Sequence, residues 1–213
     1  MKSCRKSLLG TTTRHFQMIF VALLLSSSGV GAASDENFSF DALMVALGNN
    51  SAFSSQFVET RSSIFLSKPI ELYGTIIFDA DQAMEKIIEK PFFEHFIINS
   101  EFIVVHRKNV DGKSETTKTI QYSLVKYPFL AKAISGVSNL FAGDRALLDE
   151  LYHSTLSGTK NSWKLVLEPK DVDLSDFISS IIVYGSTGKI QRIHTLEADG
   201  DESDMILSDR KVS

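Results

Sequence analysis

Alternation of apolar and polar side chains dominates this chain and is clearest between residues 162 and 207. Trp163, Leu165 and Leu167 alternate with Lys164, Val166 and Glu168, so the first three share one face of a strand. The segment SDFISSIIVYGSTGKIQRIHTLEADGDESDMILS then reads strand, turn, strand, turn, strand. The same period runs over 70–78, with Ile70, Leu72, Gly74, Ile76 and Phe78 on one face and Glu71, Tyr73, Thr75 and Ile77 on the other. Further strands are expected over 56–66, 84–89, 93–99, 102–107 and 116–124, broken by Ser67-Lys68-Pro69, by Pro91 and by Asn99-Ser100. Asp111-Gly112 is a hairpin signal.

Two stretches change to a helical period. Phe40, Leu43, Met44 and Leu47 predict a short amphipathic helix with Gly48 as its C-cap. Leu130, Ala133, Ile134, Val137, Leu140 and Phe141 form one stripe behind Pro128, a residue suited to a first helical turn. Asp144 is a good N-cap for a second short helix carrying Leu147, Leu148 and Leu151. The tally of nine to eleven strands with few helices predicts a mainly β (α+β) fold. So many antiparallel strands must curl or close. A strongly curved sheet, concave toward the helices and convex toward water, is the economical solution.

The first 33 residues read as a cleaved signal peptide rather than as part of the fold. Lys2, Arg5, Lys6 and Arg14 precede an apolar stretch over 16–25, and Ala32 and Ala33 close a run of small residues. The apolar stretch is too short to span a bilayer as a lone helix. Residues 34–213 are then expected to be one domain in the periplasm. The leader holds four cations and no acid, so its removal takes the formal net charge from −4 to −8. An acidic chain whose one cysteine, Cys4, lies in the leader argues against nucleic-acid partners and against disulfides. A monomer is expected.

Signals for catalysis are weak. His95, His106, His153 and His194 lie at no metal-ligand spacing, and no serine sits in a nucleophile elbow, Ser135-Gly136 falling within the helical stripe. DGDESD (199–204) departs from a calcium-binding loop and reads as an acidic hairpin turn. No catalytic residue, metal or cofactor is assigned. Glu59 and Arg61, two apart, share a strand face, as a charged pair near a cavity mouth, as an Arg that contacts a lipid carbonyl, or as the solvated outer face of a curved sheet. Phenylalanine is abundant, at 15 residues against one tryptophan, and crowds the first strands. The same residues would serve a plain core or a lipid-binding cavity.

In order along the chain, FSSQFVETRSSIFLSKPIELYGTIIFD (53–79), the strand over 84–91 ending in Pro, PFLAKAISGVSNLFAGD (128–144), WKLVLEPKD (163–171) and the closing hairpins resemble the LolA-type periplasmic lipoprotein carriers and their divergent relatives. The resemblance covers about residues 38–208. It implies an incomplete, strongly curved antiparallel β-barrel with helices as a lid over an apolar cavity. It implies a carrier of acylated lipoprotein or lipid cargo, moving between an inner-membrane releasing transporter and an outer-membrane acceptor. Cavity-lining candidates are Phe57, Phe65, Leu72, Ile76, Phe78, Met84, Phe96 and Trp163. Lid candidates are Ile134, Val137, Leu140 and Phe141, and Arg61 is the charged candidate at the mouth. The sequence departs from the family where a functional Arg followed by Pro is expected, because Ala80 and Asp81 stand there. A non-transporting envelope binding or assembly module of the same fold is the alternative, ahead of a lipid hydrolase.

Overall fold

The computed structural model describes residues 38–49, 52–79, 83–111 and 114–208. The leader, Cys4 and the Ala80-Asp81 pair lie outside the described residues. The fold occupies the unit Ala33–Ser213. Its strands are β1 (Phe53–Ser62), β2 (Ile70–Phe78), β3 (Met84–Lys90), β4 (Glu94–Ile98), β5 (Phe102–Asp111), β6 (Ser114–Ser123), β7 (Tyr152–Thr159), β8 (Ser162–Pro169), β9 (Ile178–Ser186), β10 (Lys189–Glu197) and β11 (Glu202–Ser208). The helices are α1 (Phe40–Gly48), α2 (Pro128–Ala142), α3 (Arg145–Leu151) and α4 (Val172–Ser175), with a 3-10 turn at Leu124–Lys126.

One antiparallel sheet runs in the order β6-β5-β4-β3-β2-β1-β11-β10-β9-β8-β7. Strands pair with their neighbours in sequence except at two places. The first and last strands meet at the centre, with Phe57 opposite Leu207 and Arg61 opposite Ser203. The two edges, β6 and β7, are adjacent in sequence, and the chain between them carries α2 and α3. The sheet does not close. It is a curved half-open barrel whose inner face receives the helices.

Local chemistry explains the element ends. The Ser39 hydroxyl accepts from the Ala42 N–H at 3.2 Å and starts α1. Pro128 opens α2, and Gly143 ends it at φ 71°, a left-handed conformation that favours glycine. The Asp144 and Asp171 carboxylates accept from Leu147 N–H at 3.1 Å and from Leu174 N–H at 3.3 Å, capping α3 and α4. Gly74 stands where the register shifts between β2 and β3, and a Cβ there would lie 1.8 Å from the Ile87 carbonyl oxygen. Only a residue without a side chain permits that approach.

The structure corrects several sequence boundaries. The first strand spans Phe53–Ser62 rather than 56–66. Ile64, Phe65 and Leu66 look like its continuation because they are apolar. The chain must instead turn to bring Ile70 opposite Arg61, and Leu66 N–H closes the turn on the Ser63 carbonyl at 3.0 Å. The central hairpin is longer than expected, pairing through Asp111 opposite Ser114. Gly48 is the last residue of α1, and Asn49 takes the cap. Strand β7 and the one-turn α4 had no separate sequence signal.

The interior holds three apolar clusters. Leu43, Met44 and Leu47 of α1, Leu140, Leu148 and Leu174 pack on Tyr152, Trp163, Leu165, Leu167, Ile181 and Val183. Phe57, Leu72, Ile76, Phe78, Ile88, Met205 and Leu207 pack under Phe141. Ile103, Val105 and Leu124 form the third, with Leu130, Ala131 and Ile134 against them.

Candidate functional site

Alternation puts every second residue of β1 and β2 on the inner face, so these strands form an apolar trough. Helix α2 lies across it and contributes to all three clusters. Leu130 and Ile134 reach the β5 side, Val137 and Phe141 reach the β1–β3 side, and Ala133 and Leu140 reach the β7–β9 side. Each lid candidate therefore faces the sheet. Phe141 anchors an aromatic group with Phe53 and Phe78, at centroid separations of 5.1 and 5.4 Å.

Of the expected cavity residues, Phe57, Leu72, Ile76 and Phe78 are buried together, and Met84 and Phe96 pack partly buried against them. Trp163 is buried in the neighbouring cluster, against α1 and α3 rather than with the other candidates. Phe65 stands apart in the turn after β1, 85% exposed. Helix α2 fills the middle of the trough, and hollows remain at both ends. One, of about 250 Å³, lies among Leu47, Phe53, Phe141, Ile190 and Leu207 where α2 ends. The other, of about 360 Å³, opens at the opposite strand ends, with Phe65, Leu66, Ile70, Leu72 and Phe92 on one side and Arg61, Glu197, Asp201, Glu202 and Ser203 on the other. Arg61 is among the residues that line this second hollow.

Beside this hollow lies a charged group inside the barrel. Glu59 follows Phe57 on the inner face and is 2% exposed. Its carboxylate accepts from Lys86 Nζ at 2.5 Å, Arg61 Nε at 2.9 Å and Ser203 Oγ at 2.7 Å. The Lys86 ammonium lies 5.1 Å from the Phe57 ring centroid. A second buried carboxylate, Glu94, pairs with Arg107 across β4 and β5. Burial pushes the Glu59 carboxyl up, but Lys86 and Arg61 outweigh it and hold the group below its ordinary value. Burial lowers Lys86, Arg61 adds to that, and Glu59 opposes it. The outer-face reading of Glu59 is overturned. The parity of Phe57, Glu59 and Arg61 carried the signal, because whichever face buries Phe57 must bury Glu59.

Other polar residues fall outside this site. His95 meets Glu85 at 2.7 Å and His106 meets Thr119 at 2.9 Å on the outer face. Residues 198–201 form the turn between β10 and β11, with Asp201 N–H donating to Asp199 at 3.1 Å. No cluster of three metal-ligating side chains occurs among the described residues. Among them no helix is long and apolar enough to cross a membrane.

Helix α2 is held differently at its two ends. Near its start, Lys132 pairs with Asp171 at 2.5 Å, and Phe129 stacks on Phe177 at 3.9 Å, all at the surface. Further along, Gly136 lies against the buried Tyr152 ring, where a Cβ would be 2.5 Å from Cε2. The Tyr152 hydroxyl has no partner among the described residues, and burial pushes it up to about 12.

Among solved structures, the chain is similar to the LolA superfamily protein NE2245 from Nitrosomonas europaea, at 12% identity and a TM-score of 0.40, over 83% of this chain and 96% of that one. It is similar to LprF from Mycobacterium bovis at 9% identity and a TM-score of 0.39, over 82% and 93% of the two chains. Similarity to the Pseudomonas aeruginosa MucA/MucB complex is at 11% identity and a TM-score of 0.40, over 79% of this chain and 55% of that one. A comparison with curated proteins finds no match. The family model described as outer membrane lipoprotein carrier protein LolA-like matches residues 32–211, and the chain belongs to that family.

Proposed function

We propose that this protein is a carrier of the bacterial envelope that takes the acyl chain of a lipoprotein or lipid into the trough beneath α2. The carrying observation is the helix itself. It fans apolar side chains into the trough, ends at one hollow beside Phe141, and is tied at its start by one ion pair and one ring stack near the surface. Displacing α2 would expose apolar surface that an acyl chain could cover. Burial of acyl chain contributes about 0.8 kcal/mol per methylene, so about fifteen methylenes contribute roughly 12 kcal/mol before ordering costs. That is comparable with the whole stability of a domain. Export by the leader, and donor and acceptor partners in the two membranes, belong to the same reading. Catalysis is not part of it.

The packed middle of the trough favours a second reading, a non-transporting binding or assembly module. The two separate in one experiment. Protein purified without denaturant is extracted with organic solvent for mass spectrometry, and a fluorescent fatty acid is then offered to the extracted protein. Carriage predicts co-purifying acyl species and saturable uptake. Uptake should be blocked when F53C and F141C are joined by a short crosslinker, because that ties α2 over the trough. Absence of acyl species together with absence of uptake would leave the module.

A further inference from the structure

The outer face of the sheet brings two histidines together where the sequence shows no metal motif. His95 of β4 and His106 of β5 stand directly opposite one another in the strand register. Their ring centroids are 5.9 Å apart, with the planes inclined at 48°. Each ring has one nitrogen held by a neighbour. His95 Nε2 meets a Glu85 carboxylate oxygen at 2.7 Å, and His106 Nδ1 meets the Thr119 hydroxyl at 2.9 Å. A neutral imidazole that donates to a carboxylate or a hydroxyl keeps its lone pair on the other nitrogen, which is the form a metal ion binds. Those other nitrogens, His95 Nδ1 and His106 Nε2, have no hydrogen-bond partner among the described residues. The ring separation also suits a shared ion. Metal–imidazole bonds of about 2.0–2.1 Å put each centroid roughly 3.2 Å from the ion, and two centroids about 5–6 Å apart at a tetrahedral or wider angle.

We propose that His95 and His106 bind one divalent transition-metal ion, copper or zinc, through His95 Nδ1 and His106 Nε2. Imidazole nitrogens suit both ions. Glu85 and Thr119 do not touch the ion. Each holds the far nitrogen of one ring, fixing its tautomer and its direction, as carboxylate–histidine pairs do at metal sites. The chain supplies two ligands, and no group of three metal-ligating side chains forms among the described residues, so water completes the coordination. That suits a site at the surface, where His95 is 24% exposed and within reach of an ion from solvent. Lys108, two positions along the same face, is turned onto the Phe93 ring, 4.9 Å from its centroid. A bound ion ties β4 to β5 on the outer face. The adjacent pair, Glu94 and Arg107, joins the same two strands on the inner face. The site is independent of what the trough carries, because it lies on the opposite side of the sheet and its test contains no cargo.

The test is titration of the untagged protein with Cu(II), followed by calorimetry and by electron paramagnetic resonance. Wild type should bind one ion per chain saturably, and the spectrum should show two imidazole nitrogens on the copper. Zn(II) should compete, and Mg(II), which prefers oxygen ligands, should not. Glu85→Ala should weaken binding about tenfold. His95→Gln and His106→Gln should each weaken it more, and together they should abolish it. His153→Gln with His194→Gln should leave it unchanged. Zn(II) should raise the thermal unfolding midpoint of wild type but not that of the His95→Gln, His106→Gln double variant. Circular dichroism checks that each variant folds, and the wild-type spectrum tests the site without any variant. Wild type that takes up no copper saturably, or a spectrum with one imidazole nitrogen or none, overturns the proposal. So does binding that survives in the His95→Gln, His106→Gln double variant, or that is lost when His153 and His194 are replaced.

Discussion

Strands β7–β10 turn Tyr152, Trp163, Leu165, Leu167, Ile181 and Val183 inward, where α1, α3 and α4 share the cover with α2. Strands β1–β5 place Glu59, Lys86, Glu94 and Arg107 among their inward apolar residues, and of the helices only α2 contributes to their clusters. The first half is built as a core, with apolar side chains fixed from several sides. The second pairs buried charges beside a hollow and has one helix, α2, packed on its clusters. A buried ion pair is weak evidence for stability, since desolvation offsets its attraction. Its presence beside the larger hollow, under a single covering helix, is consistent with the proposed role of that half in taking up cargo.

Breaking the charged group gives the largest expected effect. Glu59→Ala should cost roughly 3–5 kcal/mol in urea unfolding, because Lys86 is left charged and enclosed without its carboxylate. Glu59→Leu combined with Lys86→Met should recover most of that loss. If the double variant is as unstable as the single one, the two halves do not differ in the way described. The pH dependence sharpens the point. The folded Glu59 carboxyl lies below its ordinary value of 4.5, so the stability it contributes is present above that pH and lost as the pH falls through the lowered folded value. The double variant should lack that part of the acid destabilisation seen in wild type.

A smaller effect tests how firmly α2 is seated on the core half. Gly136→Ala should cost roughly 1–3 kcal/mol, because the new methyl meets the Tyr152 ring, which is buried and cannot withdraw. Thermal unfolding measures it, and an unchanged midpoint would show that α2 floats over that half too. The smallest effect belongs to Lys132→Ala. It removes a surface ion pair to Asp171 and should leave the unfolding midpoint unchanged. Amide exchange should nevertheless quicken in the first turns of α2 and not near Phe141.

Much of this architecture was legible in alternation alone. Positions such as Leu72, Ile76 and Phe78, or Trp163, Leu165 and Leu167, could share only one face, and a buried face was the natural place for them. Pro128 and Asp144 marked helix starts by chemistry that needs no tertiary context. Strand β7 was hidden because its inward positions include Ser154 and Gly158, which carry no hydrophobic signal. Residues 64–66 misled because propensity does not report where a strand must turn to meet its partner. Lys86 was unreadable as a site residue. Its partner lies 27 positions away across an intervening strand, so only the folded sheet brings them together.

The meeting of β1 and β11 at the centre of the sheet has a topological consequence. Read across the sheet from one edge, the strands run β7 to β11 and then β1 to β6, each beside the next. The fold is a single uninterrupted meander cut at its middle strand pair, with α2 and α3 as the splice that joins its two outer edges. Every other pairing is a local hairpin, so each half can assemble as its own strands become available. The seam between Phe57 and Leu207 spans most of the chain and is the pairing that turns two hairpin stacks into one sheet. A rearranged gene that opened the chain between β6 and β7 and linked β11 to β1 would encode the same sheet with hairpin pairings alone.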